Sequence, residues 1–536
     1  MRRLIRCAAC CSGCNVTIPA TRLPDDVLAD IQGFITSGYG HLSYAAYLFV
    51  QFQDAGQAQR WLGMVAPAIT SARPWPTTPS GEKLKPAVAL NIAFTADGLA
   101  ALGMPPRVLC TFPVEFQEGI AREHRSRILG DTEESDPGEW EVGGPRQPPI
   151  HAVVVVHAVS AAELERVCRA QRTLLADTTN GVVELPDTMQ SGYRPDGDYE
   201  PFGFHDGIAQ PSIAGISGEG VPTGEFIVGY PNHYRILPPT PAVPADLDAD
   251  AVLPLLDNPY HASEPLRDLG LNGSYVVYRK LQQDVAGFWQ FMKREAVRAR
   301  GEEDAGHMVW LASRLVGRWP SGAALALAPL ADDPRIRDRN DFLYRDDADG
   351  LSCPLGAHIR RANPRDDIKP YPVAESLSMS EAHRLLRRAR VFGPPLFDPT
   401  ILTNPTSARP AEARGSETGE QRRVACRTAL LALADDGRAR GIHFFCVNAS
   451  IRSQFEFVQQ TWCNNPRFGG LNDNKDPIIG DNNRTDQPSS HMTMPGQPLR
   501  QRTAALPRFV TVKAGAYLFM PSLKALRFLL AFRVRD

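Results

Sequence analysis

Chemistry-bearing side chains concentrate in three short segments. In "PFGFHDGIAQPSI" (201–213), His205 and Asp206 stand side by side between Gly203 and Gly207. Glycines there allow φ > 0 or a close backbone approach to something flat and bulky. A carboxylate in such a turn serves as a general base or as a turn-stabilising Asx cap, and Asp-Gly pairs are common turn formers. In "CPLGAHIRRANPRDD" (353–367), His358 is followed by Arg360 and Arg361. A histidine of this kind is a metal ligand in one setting and a core or surface residue in another. "HRLLRRARVFGPP" (383–395) carries Arg384, Arg387, Arg388 and Arg390, a run that ordinarily forms a solvated helix face. Residue types alone leave both readings of each segment open.

A fourth cluster, Cys7, Cys10, Cys11 and Cys14, has CxxC spacings that can supply thiolates to a metal. No later histidine or spaced second pair completes a finger, and no periodic segment surrounds it. Residues 1–22 are therefore expected to form a disordered extension. No phosphate-binding G-x-x-x-x-G-K-[ST], no H-E-x-x-H and no G-x-S-x-G unit occurs, and "GISGEGVPTG" (215–224) reads as a turn.

At 536 residues the chain exceeds what one hydrophobic core supports, so two domains or one heavily looped domain are expected. A net charge of −2 gives no general attraction for nucleic acid or an anionic membrane. No stretch approaches the ~20 apolar residues of a membrane helix. The basic start lacks the roughly 7–15-residue apolar core of a secretory signal. The expectation is a cytoplasmic protein whose ten cysteines are reduced.

The elements that must position these residues are visible as periodicity. Residues 44–52 and 151–159 read as strands, the latter followed by a helix with Ser160 as its N-cap. Strand 273–281 precedes a helical face of Leu281, Val285, Phe288, Trp289 and Met292. Strand 441–450 precedes another, of Ile451, Phe455, Val458 and Trp462. "RFVTVKAGAYLFM" reads as two short strands around a glycine turn, with an apolar helix from Pro521. This alternation predicts an α+β fold, antiparallel sheets with helices on one face, duplicated along the chain. Stretches 130–150, 231–266, 297–306, 398–424 and 464–505 read as solvated loops.

Together these segments resemble the dye-decolorising peroxidases, a family of b-type haem enzymes. "GFHDG" fits that family's GxxDG motif, "CPLGAHIRRANPR" its proximal-histidine segment and "RRARVFG" its distal-arginine segment, with "NIAFTADGLAALGMP" (91–105) matching further upstream. The likeness runs from about Leu23 to the end, and the length suggests the long, loop-elaborated branch. It implies two ferredoxin-like domains of the dimeric α/β-barrel type. Residues 23–225 would carry the distal Asp motif, and 226–536 would bind the haem.

Residue by residue, the resemblance makes His358 the axial ligand of the haem iron. Asp206 becomes the distal acid–base group, and Arg387 stabilises developing charge, with Arg388 the competing alignment. Ala389 stands where the family often carries Asn or Gly. Ile442 and Phe444 match apolar distal-pocket positions, and Arg360 is a candidate partner for a haem propionate. The family commonly gives its proximal histidine an acidic partner. The matching stretch near "RQRTAALPRF" carries no acid, which leaves Glu456 and Asp476 as options.

The implied activity is oxidation of dyes, phenols or other bulky reductants by hydrogen peroxide, through a ferryl intermediate, with one haem b per chain. Asp206 must accept a proton as a carboxylate and then return it, which favours mildly acidic conditions. Tyr371 and Trp462 are candidate radical relays for reductants too bulky to enter, although Trp462 on its apolar helix face also reads as core, and members of the family often self-associate. Two other readings fit the motifs: a haem-handling protein of the same fold with weak peroxidase activity, and a cofactor-free ferredoxin-like interaction protein in which the motifs make turns.

Overall fold

The computed structural model describes residues 22–185, 189–256, 265–407, 419–482, 484–496 and 498–531, so Cys7, Cys10, Cys11 and Cys14 lie outside the described residues. Runs rich in β-branched and aromatic residues form eight strands of one antiparallel sheet. These are β1 (Tyr44–Phe52), β2 (Val88–Phe94), β3 (Ala152–Ala158), β4 (Gln190–Tyr193), β5 (Ser274–Gln283), β6 (Arg390–Phe392), β7 (Gly441–Asn448) and β8 (Val510–Met520). Their order is β6-β4-β1-β3-β2-β8-β5-β7, and β6 also pairs with β7, so the sheet closes into a ring. The short strands Val182–Glu184 and Leu386–Arg387 add to β1 and β7. One Phe94–Phe519 pairing joins β2 to β8, and one Tyr193–Val391 pairing joins β4 to β6. The expected antiparallel sheets are thus joined edge to edge, which removes their open edges.

Strand alternation divides the core in two. Tyr47, Phe49, Tyr278, Phe445 and Val447 pack together inside the ring. Across the lumen, the Tyr47 and Phe49 rings lie 6.3 and 5.2 Å from the Tyr278 ring. Leu48, Val50, Val154 and Val277 point outward, against the helices Ala55–Val65, Ala161–Ala176 and Leu523–Ala531. Ser160 does cap its helix, accepting the Glu163 N–H at 3.2 Å. Helices Val285–Arg300 and Ala305–Val316 build a further core with Phe202, Phe204 and Phe509. Among the described residues no helix is long and apolar enough to cross a membrane.

Several local expectations give way to the tertiary structure. "RFVTVKAGAYLFM" contains no hairpin: β8 is one strand with a bulge between Val512 and Ala514. Gly515 is there for clearance, because a Cβ would sit 2.7 Å from the Trp140 ring. Leu281 belongs to β5, opposite Ile442, and the helix begins at Val285 behind the Asp284 cap. Residues 452–463 form two π-helical stretches instead of a regular α-helix. Their amides reach five residues back, Glu456 to Ile451 and Asn464 to Gln459. The wider turn separates Trp462 from Phe455: Trp462 packs against Phe457 and Phe468. The stretch 398–424 includes the helix Thr400–Ser407, and the stretch 464–505 buries Asn474, Lys475, Asp476 and Asp481.

Candidate active site

Asp206 sits on a turn that its neighbours hold from several sides. Glu200 accepts the N–H groups of Phe202 and Phe204 at 3.0 and 2.9 Å, and the Asp206 N–H donates to Asp198 O at 2.8 Å. Gly203 and Gly207 have φ of 98° and 85°, a region other residues adopt only with strain. At Gly203 a Cβ would also strike Leu402 at 2.5 Å, whereas one added at Gly207 would meet nothing within 4 Å. His205 braces the turn: its Nδ1 is 2.8 Å from Gly197 O and its Nε2 3.3 Å from Asp338 Oδ1.

Strand alternation separates the arginines of "RRAR". The run is not a solvated helix face: Leu386–Arg387 pairs with β7, and Arg390 begins β6. Arg387 turns towards the turn, its Nη2 donating to Asp206 Oδ1 at 3.2 Å. Arg388, the competing alignment, turns the other way and donates to Phe34 O and Ile35 O at 3.0 and 2.9 Å. Burial raises the Asp206 carboxyl, but Arg387, the Gly207 amide and His358 outweigh it and hold it below the usual carboxylate range.

His358 opens the short helix His358–Ala362. Its Nδ1 lies 2.9 Å from Oδ2 of the fully buried Asp476. Asp476 Oδ1 accepts the N–H groups of Ile478 and Ile479 at 2.8 and 2.9 Å, so both oxygens are held. Arg361, on the same helix, donates to Trp462 O at 2.5 Å and to Asn474 O, which ties the Asp476 segment to His358. Burial would raise the Asp476 carboxyl; the facing imidazole and the Ile479 amide bring it below its ordinary value instead. Among the described residues His358 Nε2 has no hydrogen-bond partner, and a quarter of the side chain remains open.

The open part of His358 faces a cavity of about 280 Å³ whose lining also includes Asp206 and Arg387. Ile442 and Phe444 project into it from β7, while His443 between them points into the ring. Leu281, Phe455 and Val458 extend the apolar wall. Arg360 is not part of this lining. Its guanidinium is fully buried and donates to Asp367 and Asp347 at 2.8 and 3.1 Å and to Cys353 O at 2.7 Å. Those carboxylates satisfy it, so the expected propionate contact is not available to Arg360. Three arginines outside that expectation, Arg318, Arg365 and Arg384, do line the cavity. Among the described residues none of the three forms an ion pair; Arg318 and Arg365 bond carbonyls and Asn340, and Arg384 bonds Ala209 O at 3.3 Å. Burial brings Arg318 and Arg384 down to about 10.

This donor set fits a haem. One side offers an imidazole nitrogen with no protein partner, the walls are apolar, and one lobe presents uncompensated guanidinium charge to a dicarboxylate edge. Sequence reasoning left Asp476 unassigned and missed Arg318, Arg365 and Arg384. Asp476 had a local signal, an aspartate just before a Pro-Ile-Ile step whose amides it caps.

Residues 30–195 match the family model of the DyP dimeric alpha+beta barrel domain. A dye-decolorizing peroxidase of Exidia glandulosa is 28% identical over 514 residues, covering 93% of this chain and 86% of that protein. A multifunctional dye peroxidase of an Amycolatopsis species is 29% identical over 496 residues, covering 90% and 91%. Among solved structures, an ancestral D-type dye-decolorizing peroxidase superposes with a TM-score of 0.67 at 25% identity, covering 93% of this chain and 98% of that one. A closed α+β barrel and a likeness that spans nearly the whole chain lead to one conclusion: residues 30–195 form a DyP-type barrel domain, and the chain as a whole is similar to the dye-decolorising peroxidases.

Proposed function

We propose that the chain is a haem-dependent peroxidase that uses hydrogen peroxide to oxidise dyes, phenols and other bulky reductants. One observation carries the reading: His358, anchored by Asp476, shares an apolar-walled cavity with the Asp206–Arg387 pair. Dye-decolorising peroxidases are haem enzymes. A haem b, one per chain, would be held through His358 Nε2, with its propionates towards Arg318, Arg365 and Arg384. When bound, it supplies the iron that takes up the oxidising equivalents of peroxide.

The remaining work falls to the chain's own residues. Asp476 keeps the proton on His358 Nδ1, which leaves Nε2 with its lone pair and raises its basicity. Asp206, ionised beside Arg387, accepts a proton from one peroxide oxygen and returns it to the other, which leaves as water. Arg387 neutralises the negative charge that develops as the oxygens separate. Ile442 and Phe444 exclude water from that side.

Residues 23–225, with the Asp206 turn, and 226–536, with His358, are the two ferredoxin-like domains of this reading. The described cysteines are all free thiols, which supports a reducing compartment such as the cytoplasm.

The test is reconstitution with haem followed by rapid mixing with peroxide. A Soret band lost in His358→Ala, with peroxide consumption slowed at least about a hundredfold in Asp206→Asn, is the expected result. A Soret band without peroxide consumption identifies a haem-handling protein instead. Failure to take up haem overturns the reading.

A further inference from the structure

Reducing peroxide to water, H2O2 + 2 e⁻ + 2 H⁺ → 2 H2O, consumes two protons per turnover. Asp206 moves a proton between two oxygens but is not itself their source. Beside the main cavity lies a more open vestibule of about 400 Å³. Two carboxylates line both spaces, Asp206 and Glu200.

We propose that Glu200 carries protons from the vestibule to Asp206, supplying those that peroxide reduction consumes. This rests on the peroxidase reading and adds a residue to it. The two carboxyls sit in opposite settings. Asp206 has a cation at 3.2 Å, whereas the hydrogen-bond donors to Glu200 are neutral: the Phe202 and Phe204 amides and Gln283 Nε2 at 2.8 Å. Burial pushes Glu200 up to about 7, with Asp206 contributing in the same direction, while Asp206 stays below its ordinary value. Paired carboxyls with separated affinities divide into a proton holder and a proton acceptor.

The surroundings accept both forms of Glu200. As a carboxylate it receives the three donors. The other end of the Gln283 amide, Oε1, is buried without a hydrogen-bond partner among the described residues. Turning that amide lets Oε1 accept the O–H of protonated Glu200. Asp206 is the charged group whose field reaches Glu200; β5 contributes neutral Gln283, and Arg387 lies beyond, paired with Asp206. In the transfer the Glu200 O–H bond breaks, the proton passes through vestibule water to an Asp206 oxygen, and the remaining carboxylate is reprotonated from the vestibule solvent.

Two readouts test this on the full chain. In infrared spectra the difference between wild type and Glu200→Gln should contain the C=O stretch of a protonated carboxyl that titrates away near pH 7, with or without haem. In rapid mixing with ferrocyanide, a reductant that brings no proton, Glu200→Gln should slow the return to the resting enzyme roughly ten- to a hundredfold. Its initial reaction with peroxide, which consumes no net proton, should be slowed far less than that return. Glu200→Asp should restore both band and rate in part. If Glu200→Gln folds poorly, Gln283→Leu gives a second reading: losing the amide donor should move the midpoint of the infrared band to higher pH. A wild type that ignores peroxide overturns both readings. A wild type that reacts, with Glu200→Gln indistinguishable from it or the midpoint unmoved in Gln283→Leu, overturns this one alone.

Discussion

Arg387 Nη2 lies 3.2 Å from Asp206 Oδ1, and this pairing helps hold a part-buried carboxyl below its ordinary range although desolvation pushes the other way. The base form of Asp206 starts the peroxide step, so the rate is lost as pH falls through its pKa. Arg387→Leu removes the cation, raises that pKa and moves the acid limb of the peroxide reaction to higher pH. Asp206→Asn removes the limb and slows the step by about a hundredfold or more. Rapid mixing across the acidic range measures both; an acid limb at the same pH in Arg387→Leu means the pair is not what sets it.

Asp476 should matter to haem retention and to folding together. Asp476→Asn puts an amide where one oxygen accepts His358 Nδ1–H and the other two backbone N–H groups. At least one of those buried donors loses its partner, at a cost of about 1–3 kcal/mol. Loss of the carboxylate behind a ligating imidazole typically weakens the metal site about 10–100-fold. Denaturant titration and haem transfer to an acceptor apoprotein read the two effects separately.

Neighbouring arginines should fail in different ways. Arg388 is 8% exposed and holds the carbonyls of Phe34 and Ile35. Arg388→Leu strands those acceptors and should destabilise the fold by about 3 kcal/mol or more. Arg387 makes one long ion pair at the cavity wall, and its side chain is 29% exposed. Arg387→Leu should therefore cost about 1 kcal/mol or less while slowing the peroxide reaction and moving its acid limb. Comparing urea midpoints with rapid-mixing rates for the two variants decides it; equal destabilisation would contradict the division.

What the sequence made legible follows from the range of each signal. Strands β1, β3, β5 and β7 and their helices rest on local periodicity, which residues 44–52 or 441–450 carry in themselves. The segments around Asp206, His358 and Arg387 carry the family's motifs in order. The closed ring was not legible, because it depends on single pairings between Phe94 and Phe519 and between Tyr193 and Val391. Asp476 was hidden for a related reason: it lies 118 positions from His358, in a polar stretch that reads as solvated. Arg360 misled because its acidic partners, Asp347 and Asp367, become neighbours only in the fold. The arginines of 384–390 read as surface, since the carbonyls that satisfy Arg388 and Arg390 come from residues 34–42.

Gly515 offers a test of close packing away from the cavity. Its missing Cβ leaves room for the Trp140 ring, whose nearest atoms would stand 2.7 and 2.8 Å from an added methyl. Trp140 is 2% exposed and its Nε1 donates to Ser135 O at 2.8 Å, so the ring cannot retreat without losing that bond. Gly515→Ala should destabilise by about 1–3 kcal/mol. Adding Trp140→Leu should make the alanine nearly neutral, a coupling that a double-mutant cycle in urea detects.

The pH dependence of stability should carry the mark of a second buried acid, Glu225. It is 5% exposed, and burial pushes its carboxyl up to about 7, against a bond from the His233 N–H that pulls the other way. A folded-state pKa above the unfolded value means the folded protein binds the proton more tightly. That contribution is complete below the unfolded pKa, near 4.5, and is lost as pH rises through about 7. Asp332, pushed up to about 6, acts in the same direction, whereas Asp206 and Asp476 are held low and give stability that is lost on acidification. Glu225→Gln keeps an oxygen for the His233 N–H and removes the titration. The wild type should lose stability between about pH 5 and pH 8, and Glu225→Gln should flatten that slope by on the order of 2–3 kcal/mol. Urea midpoints at stepped pH measure this, and parallel curves for the two proteins would show that Glu225 titrates with the same affinity folded and unfolded.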